Sequence, residues 1–153
     1  MPAMILAYGL TDTHADAKTQ LGQLFEWNDP TYGHQVYRYV QNGNAGAAAV
    51  GLVAMQKASA TTNISDICSA GVAKSRVLGV HISAMPAAYY GWVLCQGLGL
   101  VQSNGTTTAN TAQKTAASGQ VTDGVIGTDE LPVFALPANA SAGTNSVMRV
   151  DCL

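Results

Sequence analysis

The chain is 153 residues long with a formal net charge of −2, and only 10% of its residues are charged while 48% are hydrophobic. One domain of this length buries roughly 68–70% of its unfolded surface in a single core, and its charge content sits far below the ~25% of an average soluble domain. The balance excludes the basic stripe that neutralises nucleic-acid phosphates, leaves no apolar run near the ~20 residues of a membrane span, and points to a partner or a homo-oligomer covering part of the surface.

Residues 1–33 carry scattered aromatics and polar groups ("LFEWNDPTYGH") without a strand or helix period, and read as an extended N-terminal arm. Its apolar start lacks a preceding positive charge and is interrupted by Thr11-Asp12-Thr13-His14, so no secretion signal is expected. A β domain over 34–153 follows. Val36-Tyr37-Arg38-Tyr39-Val40 begins a strand, and Asn42-Gly43-Asn44 with Gly46 supplies turn chemistry, which predicts a hairpin returning through Ala48–Gln56. Lys57–Ala70 reads as helix or loop. Ser75–Ile82 is rich in β-branched residues and predicts a strand, ended by Met85-Pro86.

Residues 89–97, "YYGWVLCQG", predict a strand with Tyr90, Trp92, Leu94 and Gln96 on one bulky face and Gly91, Val93, Cys95 and Gly97 on a tight one. A threonine-rich, turn-bounded stretch follows, with short strands at Val125-Ile126, Val133-Phe134 and Val147–Leu153. Glycine recurs after an aliphatic residue at Val50-Gly51, Leu78-Gly79 and Ile126-Gly127, the mark of bends or close backbone approach inside a small barrel. The fold expected is all-β, a small antiparallel barrel or sandwich with an extended N-terminal arm.

The chemistry on offer is sparse. Gly97-Leu98-Gly99 opens a dinucleotide-like pattern, but Gln102 stands where the third glycine belongs and no helix follows. Asp12, His14 and Asp16 alternate as metal ligands on a strand do, in a stretch whose polarity solvation already explains. Cys68, Cys95 and Cys152 cannot all pair and form no CxxC element, so reduced thiols and synthesis in a cytoplasm are expected. No base motif accompanies Cys95 among His14, His34 and His81, which leaves a cysteine-dependent hydrolase as an alternative of a different class. No enzyme activity, catalytic residue, cofactor or metal is expected. Phe25, Trp27, Tyr32, Tyr37 and Tyr39 cluster in and beside the arm and are candidate interface anchors, joined by the apolar start Met4-Ile5-Leu6.

The order "TYGHQVYRYVQNGNAGAAAVGLVAMQ", "SRVLGVHISAMPAAYYGWVLCQGLGLV", then "DGVIGTDE" and a closing strand resembles small head decoration proteins of tailed bacteriophages, the capsid cement proteins. The motifs are the "YRYV" strand at Tyr37–Val40, the "YGWV" strand at Tyr90–Val93 with Gly97, and the closing segment Val147–Leu153; the arm at 1–33 has no counterpart. The resemblance implies a structural virion protein, a homo-oligomer with a trimer favoured, seated on the outer capsid surface and bridging subunits of the major capsid protein. Another phage structural module, such as a tail tube, fibre or adhesin, is the alternative within that class.

Overall fold

The computed structural model describes residues 8–58, 63–68, 70–125, 133–135 and 141–153. Among them the chain is all-β, with ten strands, no α-helix and two 3-10 turns at Lys74–Arg76 and Ala117–Gly119. The strands are β1 (Leu24–Asp29), β2 (Gly33–Asn42), β3 (Val53–Gln56), β4 (Ile64–Ile67), β5 (Val77–His81), β6 (Tyr90–Gln102), β7 (Ala112–Thr115), β8 (Val121–Asp123), β9 (Val133–Ala135) and β10 (Asn145–Asp151).

Five strands close into a ring. β2 pairs with β6, β6 with β5, β5 with β3 and β3 with β4, all antiparallel, and β4 returns to β2 through a short parallel contact. Each contributes one residue to a small apolar cluster, Val40, Val93, Leu78, Ala54 and Ile67, with Ala48 and Met85 joining it. One small or medium side chain per strand is what the interior of a narrow barrel accommodates. The larger cluster, including Tyr39, Trp92, Leu94, Val80 and Val53, packs on the other side of these strands, so residues adjacent in sequence on β6 bury in different clusters. β6 is the spine: Tyr90–Gln96 pairs with β2, while Gln96–Gln102 pairs with β10, which carries β9, β7 and β8.

Three expectations are corrected. No hairpin joins β2 to β3, because β4 lies between them. The Asn42 side chain turns the chain away instead, its amide donating to the carbonyls of Met85 (2.8 Å), Pro86 (3.1 Å) and Gly46 (3.1 Å) while its oxygen accepts from Asn44 N–H (3.0 Å). Within the stretch expected as helix or loop, Lys57–Ala70, the described residues Ile64–Ile67 form β4 and complete the ring. Residues 8–33 are not a free arm. Tyr8, Leu10, Leu21 and Phe25 pack on the larger cluster, His14 and Tyr90 exchange two backbone hydrogen bonds (2.9 and 2.8 Å), and Leu24–Asp29 is a strand. Phe25 and Trp27 share its inward parity, a two-point alternation too short to register as a period.

Gly51 lies in a turn before β3 rather than inside a strand, and Val125 is an exposed residue outside any strand. Ile126, Gly127 and most of "DGVIGTDE" lie outside the described residues, as do Met4, Ile5 and Leu6.

Candidate functional site

The hairpin of β1 and β2 is built by its turn. Asp29 Oδ1 accepts from the N–H groups of Thr31 (2.8 Å) and Tyr32 (2.9 Å), an Asx turn, and Gly33 follows with a φ of +74° that glycine adopts without strain. The register then sets Phe25 opposite Tyr37 and Trp27 opposite Gln35. Gln35 ties the hairpin to β6, its amide donating to the Leu98 carbonyl while its oxygen accepts from the Tyr37 hydroxyl (2.6 Å). Burial, with a smaller push from the Asp29 carboxylate, raises the Tyr37 phenol to about 12. This hydroxyl is a fixed donor at any physiological pH.

Between the hairpin and β6 lies a cleft of about 250 Å³, with Leu10, Trp27, Tyr32, Tyr37, Leu94 and Leu100 among its walls. Trp27 is 47% exposed and Leu100 42% exposed, so both leave large apolar surfaces at the rim. Asp29 is the charged residue in the lining. The volume falls below the roughly 300–1,000 Å³ of pockets that enclose a small-molecule ligand. It suits one or two protruding side chains. No protein-family model matches the chain, and no curated protein matches it in sequence.

The structure separates the sequence-predicted anchors into two groups. Trp27 and Tyr32 meet at the cleft, and Phe25 lies half-buried beside them with its ring 5.9 Å from that of Trp92. Tyr37 and Tyr39 are corrected: they are 6% and 0% exposed and belong to the core, where Tyr39 packs edge-on to Trp92 at 5.0 Å and its hydroxyl accepts from the Lys18 N–H (3.1 Å). Tyr39 has no solvent face to offer a partner, and Tyr37 reaches one only as part of the cleft wall. Leu10 and Leu100 were not singled out from the sequence.

Other chemistry-bearing groups lie apart from the cleft's open surface. Cys68, Cys95 and Cys152 are buried and form no disulfide. Burial raises Cys68 and Cys95 to about 11, keeping both protonated at neutral pH, and Cys95 Sγ donates to the Val36 carbonyl (3.2 Å) where the β2–β6 register slips. Asp12 accepts from Gly9 N–H (2.7 Å) and the His14 ring packs edge-on to Tyr8 at 4.8 Å; among the described residues no three metal-ligating groups converge. Asp123 is held by Gln113, Thr108 and Thr111; burial pushes its carboxyl up, but these donors outweigh it and hold the group below its usual value.

His81 is 1% exposed, and neither ring nitrogen has a hydrogen-bond partner among the described residues. Burial lowers it from 6.5 to about 4. Between those values the unfolded chain binds a proton that the folded chain refuses, so stability is full above the unfolded value and declines as pH falls. The expected loss is about 2 kcal/mol between pH 8 and pH 5. Urea denaturation at the two pH values checks it, and His81→Leu is expected to flatten that slope. An unchanged slope in a folded His81→Leu variant removes His81 as its source.

Proposed function

We propose that this protein is a structural component of a tailed-phage virion that decorates the outside of the capsid and stabilises it by bridging subunits of the major capsid protein. The reading is supported first by the way the two resemblance motifs meet: Tyr37–Val40 and Tyr90–Val93 are neighbouring strands, with Arg38 opposite Val93, Tyr39 opposite Trp92 and Val40 opposite Gly91. The stretches that carry the likeness form one wall of the ring. Low charge adds to it, since many copies of a weakly charged domain hold a shell through multivalent contacts of modest individual strength. Cys68 and Cys95, buried and protonated, supply no ready thiolate for the cysteine-hydrolase alternative.

Attachment is assigned to the cleft face. Trp27 and Leu100 present apolar surface on strands pinned by Gln35, and an exposed aromatic on a rigid support anchors an interface at low entropic cost. Trp27→Ala is therefore expected to fold and to bind expanded shells of the cognate major capsid protein about 30-fold more weakly, the scale of one hot-spot residue. Quantitative co-sedimentation with the shells measures it. Binding within twofold of the parent chain refutes the cleft as the attachment point, and absence of shell binding by the parent chain refutes the decoration reading itself. A homotrimer is part of the proposal, checked by light scattering.

A further inference from the structure

The ten-stranded sheet runs from β1 at one margin to β8 at the other. The two margins differ. At β8 the Val121 carbonyl accepts from Asn104 N–H (2.8 Å) and Ser103 bridges to Val121 in parallel, so that edge is covered. At β1 the Tyr39 N–H donates to the Gln23 carbonyl (2.9 Å), which fixes the phase of the ladder: Phe25, Trp27 and Asp29 bond to β2, and Leu24, Glu26 and Asn28 turn their backbone groups outward. The Leu24 carbonyl takes the Gln23 side-chain amide (3.2 Å). The N–H and C=O of Glu26 and Asn28 have no partner among the described residues.

Natural sheets blunt such edges with lysines, prolines, bulges or inward charges. β1 has no lysine, proline or bulge within Leu24–Asp29, its one inward charge, Asp29, is tied into the turn at the strand's end, and it keeps Leu24 44% and Trp27 47% exposed. Its formal charges are both acidic, Glu26 and Asp29, and the Glu26 side chain is 74% exposed, its one ion pair among the described residues a 3.5 Å contact to His34 Nε2. Two copies of this edge set side by side bring acid against acid. A basic strand meets the opposite sign.

We propose that β1 is a docking edge that takes an extended segment of a partner protein as an added antiparallel or parallel strand, its side chains apolar towards the Trp27 cleft and basic towards Glu26. The inference deepens the attachment reading and rests on it for where the partner comes from. Main-chain pairing at Glu26 and Asn28 supplies affinity, and the alternation of the incoming strand supplies selectivity. An incoming residue level with Trp27 covers the Trp27–Leu100 rim, and its neighbours on the other face lie beside the Glu26 carboxylate.

The test uses the full chain and the peptide acetyl-Val-Lys-Val-Lys-Val-Lys-amide as probe, with the corresponding Val-Glu peptide as control. Expected on titration is slowed hydrogen exchange at the Glu26 and Asn28 amides, with the lysine peptide preferred. Glu26→Lys is expected to weaken the lysine peptide roughly fivefold, at the upper end for an exposed ion pair. Asn28→Pro removes an outward N–H while leaving the β2 ladder whole, and is expected to abolish pairing in a chain with an unchanged circular dichroism spectrum. Equal binding of both peptides, binding without protection of those two amides, or protection that arises from concentration-dependent dimerisation each overturns the proposal. Failure here is separable from failure of decoration. If Asn28→Pro still binds shells as the parent does, the edge is not the contact and the decoration reading stands; if the parent pairs with the peptide but never binds shells, the edge stands and the decoration reading falls.

Discussion

Trp92→Ala is expected to lower the unfolding free energy by about 3–5 kcal/mol, the range for emptying a large aromatic from a core. Trp92 is fully buried, and its ring lies between Tyr39 at 5.0 Å and Phe25 at 5.9 Å. Those two rings belong to β2 and to β1, so the cavity opens where the ring wall meets the hairpin that carries the cleft. The total stability of a domain is about 5–15 kcal/mol, so the loss is large enough to unfold part of the population at 37 °C. Trp92→Phe is the informative companion. The indole Nε1 has no hydrogen-bond partner among the described residues, and phenylalanine removes that buried donor while keeping most of the volume. Its expected cost is below about 2 kcal/mol. Urea midpoints for the pair check both values, and a Trp92→Ala loss under about 1 kcal/mol contradicts the packing described here.

The fold class was legible in the sequence because β-branched and aromatic residues concentrate in the short runs Val36–Val40, Val77–His81, Tyr90–Leu94 and Val147–Asp151, all of which lie in strands. The topology was not. Asn42-Gly43-Asn44 carries every local mark of a hairpin turn, yet the Asn42 amide is committed to carbonyls at Met85 and Pro86, more than 40 residues away, and that tertiary pairing overrides the local preference. The parallel return of β4 to β2 rests on just two paired positions, Gln41 with Ile64 and Asn42 with Ser65, which leave no periodic trace. The faces of "YYGWVLCQG" were legible as far as Leu94 and then failed at Cys95. The register slip leaves Cys95 without a partner on β2, and it buries in the cluster that holds Trp92 and Leu94 rather than with Val93.

At the candidate site the sequence supplied the right aromatics without their burial. Composition alone does not distinguish Trp27, which stands at a margin of the sheet, from Tyr39, which is enclosed between its neighbours on β6 and β1. The difference is positional: among the described residues β1 has a strand on one side only, whereas β2 has β1, β4 and β6 around it. The Asp-Pro-Thr-Tyr-Gly string from 29 to 33 held the turn signal that makes Leu24–Asp29 a strand. The cleft itself was not readable, because Leu10, Trp27 and Leu100 come together only when the chain before β1 folds back over β6.

Gly79→Ala is expected to destabilise the ring by on the order of 3 kcal/mol, combining an unfavourable backbone with an overpacked contact. Gly79 adopts a φ of +151°, and a Cβ built there lies 2.5 Å from the Leu94 carbonyl oxygen and 2.9 Å from Val93 Cγ2. The valine methyl can shift slightly. The carbonyl belongs to the backbone of β6, whose pairing with β2, β5 and β10 holds the sheet together, so it has no cheap direction in which to retreat. The β3–β5 register also slips beside Gly79, between Ala54 and Met55, so the residue sits where the ring bends. Gly33 separates the two contributions. Its φ is +74°, and a Cβ there meets nothing within 4 Å, so Gly33→Ala pays only for the backbone conformation, about 1–2 kcal/mol. Gly33→Asn, which tolerates that conformation, is expected to fall below the alanine value. Thermal and urea unfolding of the three variants measures the order, with Gly79→Ala the worst and Gly33→Asn the mildest. If Gly79→Ala unfolds no more easily than Gly33→Ala, the close approach of β5 to β6 is not what requires glycine at position 79.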